Sequence, residues 1–563
     1  MKRSALVGAA FLLVTAFVPF AFGATADEST EPAGSSQSPL QRSIEAGKLP
    51  ALRWPNFSDY RDSVRAFYAS HKGHLVWLSG NTPTPAAAAI TKEFEGADAK
   101  GLRPKDYDGS RWEKRIARLQ QTSPTPSETD RANFDLALTV SLMRYLSALH
   151  NGRANPNPAP FAFDVGDKRD NLSQLIGDEF VDAKPDAIPG LVAQLEPPIA
   201  LYQQLEKSLP TYEALAAKDP GGTLPRPEKT VGPGDPYPGL QRLVDLLKIT
   251  GDLPSDTSVP TTYQGPVIDG VKHFQLNHGL ESDGRLGRST VAAMNVPLSW
   301  RVEQIRLTLE RWRWFSYDFT QTPIMVNLPE FELRTLGNDN ANQLEMRVVV
   351  GGSAGHQTPL FTAKLRFLIF RPFWNVPMSI QLKELVPKVR QDADYLADND
   401  FQVVTHSGQV VSSDGTVNDD TLDELASGHL ELRQTPGPDN SLGLVKFVFP
   451  NPYDIYMHDT PSVKLFAKVR RDYSHGCIRL QDPIALALWV LRNNSPGWDR
   501  DRIVAAMNAS SNNVRVGLAK PIPVMIAYFT AVAQPDGSVH FFGDIYDEDH
   551  ELERQLDAGY PYH

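Results

Sequence analysis

The chain has 563 residues, 41% of them hydrophobic and 22% charged, a soluble globular composition too long for one core. Its formal net charge of −11 argues against a nucleic-acid binder, which normally shows a basic face able to neutralise phosphates. A single cysteine, Cys477, excludes an intrachain disulfide and a metal site built from cysteines.

The first stretch, "MKRSALVGAAFLLVTAFVPFAFGATADEST", carries Lys2 and Arg3, an apolar run from Ala5 to Phe22, and two small-x-small sites ending at Gly23 and Ala26. It reads as an export signal over 1–26, with the run at 5–22 near the length of an uncleaved membrane anchor. Small and polar residues predict a flexible linker over 27–52. From 53 to 220 the periodicity is helical, clearest at "RANFDLALTVSLMRYLSALHNG", where Asn151 and Gly152 supply a stop. "KDPGGTLPRPEKTVGPGDPYPG" marks a boundary, and 237–297 follows as a small unit of short helices with glycine-rich turns. A helix "EQIRLTLERWRWF" then leads into strand-like sequence, so 320–548 is expected to be mainly β, interrupted by an insertion at about 379–444 that could serve as a lid. A hairpin is predicted around Asp536-Gly537, and the acidic 549–563 reads as a solvated tail.

Several motifs fail on context. "GGSAG" (351–355) follows a plausible strand like a nucleophile elbow, but Pro359 stands where the required helix should run. No H-E-x-x-H is present, and "DIYDEDHE" lacks the spacing and glycine of a calcium loop. The stretch "RDYSHGCIRLQDP" is different. A lone cysteine is most often a small buried apolar residue, yet here Arg470, Arg471, His475 and Arg479 surround it, and cations lower a thiol's pKa. Gly476 leaves room beside the sulfur, with the backbone N–H groups of His475, Gly476 and Cys477 available to an oxyanion. Asp482-Pro483 predicts the start of an apolar helix that pins the loop. A base is needed, and His458 in "IYMHDT" is the nearest histidine outside the motif, with His540 as the downstream alternative.

"HDT" followed by "SHGCIR" resembles the signature of the YkuD-type L,D-transpeptidases, matched at Ser474, Gly476, Cys477 and Arg479. "VIDGVKHFQLNHGLESDGRLGRSTVAAMNVP", with Phe274, Gln275, Gly279, Asp283, Gly284, Gly287 and Thr290, is similar to peptidoglycan-binding helical modules. "FRPFWNVPMSI" with its insertion, and "ALHNGRANP", resemble the large Gram-negative members. The resemblance implies a multidomain α+β protein: an α-helical N-terminal scaffold, a small three-helix peptidoglycan-binding module, and a mainly β YkuD-like catalytic sandwich with a helical capping insertion. It implies an exported, periplasmic enzyme, alternatively anchored in the inner membrane, acting on peptidoglycan stem peptides, with a carbapenem as inhibitor and neither metal nor cofactor. Cys477 would be the nucleophile and His458 the general base, oriented by a backbone carbonyl. Tyr456, two residues before His458, would bring its hydroxyl to the oxyanion, while Ser474, His475, Gly476 and Arg479 shape the loop or meet substrate. An L,D-carboxypeptidase or amidase acting on the same stems, and a non-catalytic wall-binding scaffold, are the competing expectations. Sequence does not reach protein partners.

Overall fold

A computed structural model describes residues 37–157, 161, 163, 171–317, 319–337, 344–353, 355–492 and 494–560. The export signal expected over 1–26 and the alternative anchor expected at 5–22 lie outside the described residues, among which no helix is long and apolar enough to cross a membrane.

The N-terminal unit is helical and is organised around Glu128–Asn151. That helix starts on a reciprocal cap between Ser127 and Asp130 and is buried almost all round, as a helix in the middle of a bundle must be. Shorter helices Arg61–Ser70, Pro85–Glu95 and Trp112–Leu119 surround it, with a small hairpin of β1 (Leu78–Ser79) and β2 (Thr82–Pro83). The expected linker is shorter than predicted. Ser38 caps a helix at Pro39–Ala46, and Leu40, Ile44, Leu49 and Leu52 are buried in this unit's core, so apolar spacing outweighs the polar composition there.

Three further helices, Leu240–Thr250, Pro266–Asn277 and Arg288–Met294, enclose a core of their own around Leu243, Leu247, Val271 and Phe274. The unit docks by its edge: His278 stacks on Phe274 at 3.7 Å and lies 5.7 Å from Phe541 of the C-terminal hairpin.

The C-terminal strands run β3 (Ile324–Asn327), β4 (Glu332–Thr335), β5 (Glu345–Gly351), β6 (Phe361–Phe370), β7 (Trp374–Asn375), β8 (Phe401–Val404), β9 (Val410–Ser412), β10 (Glu431–Gln434), β11 (Val445–Val448), β12 (Met457–His458), β13 (Asp472–Ser474), β14 (Ile478–Leu480), β15 (Val514–Ala527), β16 (Ala531–Ala533) and β17 (Val539–Phe541). Nine of them form one sheet in the order β13-β5-β14-β12-β11-β6-β15-β3-β4. Because β4 also pairs with β5, the sheet closes on itself. The expected sandwich is therefore a barrel-like sheet, whose inner face is wrapped rather than matched against a second sheet.

Its core extends past the predicted boundaries at 220 and 320. Tyr202, Leu205 and Leu209 of the helix Ala200–Lys218, and Val302 to Phe315 of the helix Leu298–Trp312 and its exit, join the same apolar cluster. The acidic end is also not a solvated tail over its described part. Residues Glu548–Ala558 form a helix that buries Leu552 and Leu556, and its Asp549 meets Arg311 at 2.5 Å, both side chains fully enclosed.

The insertion is a mixed unit rather than a purely helical one. A four-stranded sheet, β7-β10-β8-β9, backs helices Val386–Gln391 and Asp419–Ser427 around Leu396, Val403, Leu425 and Leu432.

Candidate active site

Strand register brings the thiol and the imidazole together. The two-residue strand β12 lies between β11, to which it is antiparallel, and β14, to which it is parallel. His458 stands opposite Lys446 on one side and Arg479 on the other, and Met457 stands opposite Ile478, the residue after Cys477. The Ile478 N–H donates to the Tyr456 carbonyl at 3.0 Å and locks this register. Tyr456, His458 and Cys477 consequently face one cleft, together with Ser474, His475 and Arg479.

The loop carrying Cys477 is tied at successive carbonyls. Ser474 Oγ donates to the Cys477 carbonyl at 2.6 Å and accepts from the Gly476 N–H at 3.2 Å. Thr358 Oγ1 donates to the Gly476 carbonyl at 2.7 Å while accepting the Gly351 N–H at 2.9 Å. The Tyr546 hydroxyl completes the girdle, donating to the Gly351 carbonyl at 2.6 Å and accepting from the Thr358 N–H. Gly476 has φ 114°, a backbone conformation that favours glycine, and a Cβ there would press on the tip of Ile455 at 3.1 Å. One expectation changes: the Gly476 N–H is taken by Ser474 and is not offered to an oxyanion. Asp482 accepts from the Ala485 N–H at 2.8 Å and opens the helix Pro483–Arg492, which anchors the far end of the loop.

The electrostatics also differ from the linear sequence. Arg470 is consumed by Asp472 through two bonds of 2.7 Å. Arg471 is buried and holds the carbonyls of Val348, Lys468 and Phe331 and the Glu332 carboxylate, so it braces β5 and β13 rather than the thiol. His475 turns to the cap, where its Nε2 meets Glu384 Oε1 at 2.5 Å. Of the four cations near Cys477 in sequence, Arg479 is the one whose charge acts on the sulfur, joined by Lys446 from β11. Lys446 was not legible as a site residue, because only the β11–β12 pairing brings it there.

His458 is 4% exposed. Its Nδ1 lies 2.5 Å from the Asp459 carbonyl, which can only accept, so Nδ1 carries the proton and Nε2 is left as the base. Burial, with Arg479 next, pushes its pKa down to about 3. Burial pushes the Cys477 thiol up, opposed by the Tyr456 backbone and hydroxyl, Lys446 and Arg479. The resting pair is thus a neutral thiol beside a neutral imidazole. Asp459 spends its carboxylate on the N–H groups of Leu444 and Thr460, in the turn and away from any triad.

The cleft has a volume of about 320 Å³ between sheet and cap. The cap contributes Trp374, Ser379, Glu384, Lys388, Tyr395 and Phe401 among others. His540, the alternative base, lies in β17 against the three-helix unit and does not line this cleft.

Fold and cleft define a class: a closed β domain with a capping insertion, holding an imidazole on one strand and a thiol on the loop that enters the next. The domain families follow from comparison. Residues 321–511 match the L,D-transpeptidase catalytic domain, YkuD, and residues 62–209 match the Scaffold domain, so the chain carries a YkuD-type catalytic domain beside a scaffold domain. It is 30% identical over 229 residues to a Haemophilus influenzae (strain ATCC 51907 / DSM 11121 / KW20 / Rd) protein named "Putative L,D-transpeptidase". The match covers 41% of this chain and 45% of that relative, about half the length of the curated protein it resembles.

Proposed function

We propose that the protein is an exported L,D-transpeptidase that forms 3→3 cross-links between diaminopimelate residues of peptidoglycan stems. The observation that carries this reading is the neutral imidazole, its Nδ1 tied to a backbone carbonyl, on the strand beside a lone thiol within a matched catalytic domain. His458 Nε2 takes the proton of Cys477 as the sulfur attacks the carbonyl between the third and fourth stem residues. The oxyanion is met by the Tyr456 hydroxyl and the N–H groups of His475 and Cys477. Collapse breaks the C–N bond, His458 returns its proton to the departing D-alanine amine, and a thioester remains on Cys477. An acceptor amine then attacks that carbonyl and gives a proton to His458; collapse breaks the C–S bond, and the expelled Cys477 thiolate takes that proton back. Proton transfer coupled to attack suits a pair that rests neutral, since no ion pair need persist in a buried site. The unit at 237–297 would hold the enzyme to its polymer.

Mature protein incubated with disaccharide-tetrapeptide is expected to release D-alanine and form the cross-linked dimer. Intact-mass spectrometry should show one carbapenem adduct on the wild type and none on Cys477→Ser. A wild type that takes no adduct would overturn the thiol route. D-alanine release without dimer would assign hydrolysis instead, and an unchanged cellular phenotype for Cys477→Ala would leave only wall binding.

A further inference from the structure

Lys446 stands on β11 directly across the ladder from His458. Its ammonium lies 3.5 Å from the centroid of the Tyr456 ring, and Tyr456 and Cys477 line the same cleft, where the phenol's hydroxyl opposes the upward pull of burial on the thiol. Among the described residues no carboxylate forms an ion pair with Lys446, which is half-buried. A lysine kept off water with an aromatic face as its near neighbour lowers the energy of a state in which negative charge appears beside it. Cys477 supplies that charge twice, as its proton passes to His458 before the C–S bond forms and again as the thiolate expelled from the thioester.

We propose that Lys446 is a positioning residue of this site: its cation, seated on the Tyr456 ring, holds the phenol against Cys477 and strengthens the O–H donor that the sulfur meets when it becomes negative. A cation on the ring face draws electron density from the phenol, so the hydroxyl donates more strongly to a thiolate than to a thiol. The gain is therefore differential, larger with the charged sulfur than with the resting one. The charged and titratable groups around the sulfur are Tyr456, His458, Lys446 and Arg479 from the barrel, Asp454, whose carbonyl lies 3.8 Å from Sγ, and His356, Glu384, Lys388, Tyr395, Asp439 and His475 on the other walls of the cleft. Arg479 sits on β14 and reaches the thiol independently of the ring, so the two cations are separable by mutation.

The inference rests on Cys477 being the reactive thiol, and the test reads that thiol directly. In the full chain, Cys477 is alkylated with iodoacetamide across pH 5–10 and the adduct followed by intact mass. Lys446→Met is expected to raise the apparent pKa of alkylation by about one unit, hence to slow the reaction about tenfold at pH 7, with Lys446→Gln as the more soluble second variant. Lys446→Arg is expected to stay within about twofold of wild type, because it restores the cation over the ring. In a Tyr456→Phe background the same Lys446→Met change is expected to cost less than about threefold, since the hydroxyl through which it acts is gone. A folded Lys446→Met or Lys446→Gln with the wild-type pH profile overturns the proposal, as does an equal slowing in both backgrounds. A shifted profile in a protein that makes no cross-links would sink the transpeptidase reading and leave this one standing.

Discussion

On the floor of the cleft, the carbonyls of Ser474, Gly476 and Cys477 are each bonded from a neighbouring strand or side chain, and the imidazole beside them is fixed by its own turn. On the cap, a separate small core around Leu396, Val403 and Leu425 holds the unit together, and its polar link to the reactive loop is the pair Glu384–His475. The groups that must meet within fractions of an ångström sit where strand register dictates position, whereas the recognition surface sits on a body with its own stability. Such a body can shift as a unit without disturbing the thiol.

The contrast makes ordered predictions. Cys477→Ser should lower acyl transfer by about 10³-fold or more, and His458→Ala by about 10²–10⁴-fold, with melting temperatures near wild type for the serine variant. Rates of D-alanine release and thermal unfolding together check this. Thr358→Val tests whether the floor is held as described. It strands the Gly476 carbonyl and the Gly351 N–H in a buried place, so it should cost about 2–4 kcal/mol of stability and slow single-turnover acylation by carbapenem. Chemical denaturation with that acylation rate would measure both losses.

The pH dependence of stability tests the neutral imidazole. His458 titrates near 6.5 when unfolded and near 3 when folded, so the unfolded chain binds the extra proton between these values. Its contribution is complete above about pH 6.5 and is lost as pH falls toward 3, a loss that His458→Asn cannot show. The wild type should therefore lose melting temperature faster than His458→Asn between pH 6.5 and 4. The smallest effect belongs to the cap: Glu384→Gln should change stability by less than about 1 kcal/mol, because the pair is partly exposed, and raise KM a fewfold with kcat little altered. A collapse of kcat in that variant would mean that cap and floor are one body after all.

Features local to the chain were legible. Gly476 beside Cys477, and Asp482-Pro483 opening the next helix, declare themselves within a dozen residues, and both occupy the places such residues favour. Contacts made by folding were not. Thr358 reaches the reactive loop from 118 residues away in sequence, Tyr546 braces Thr358 from 188 residues away, and neither carries a local mark. Lys446 in "LVKFVF" looks like an ordinary outward lysine until β12 is laid beside it. The cluster of cations misled for the same reason, since Arg470 and Arg471 are adjacent in sequence just before β13 but take different partners. Composition misled at 549–558, where an acidic helix matched to a buried Arg311 reads the same as one bathed in water.

That pair has a consequence for the order of assembly. Arg311 belongs to the helix that leads into the sheet, yet the carboxylate that neutralises it, also held by Thr530 at 2.7 Å, is Asp549. A growing chain has every strand of the domain in hand before this acid is made. Until then, closing the core means enclosing a lone guanidinium, a penalty of about 3–5 kcal/mol in comparable buried pairs. The catalytic domain is thus timed to finish late, when the helix Glu548–Ala558 docks and supplies the missing charge.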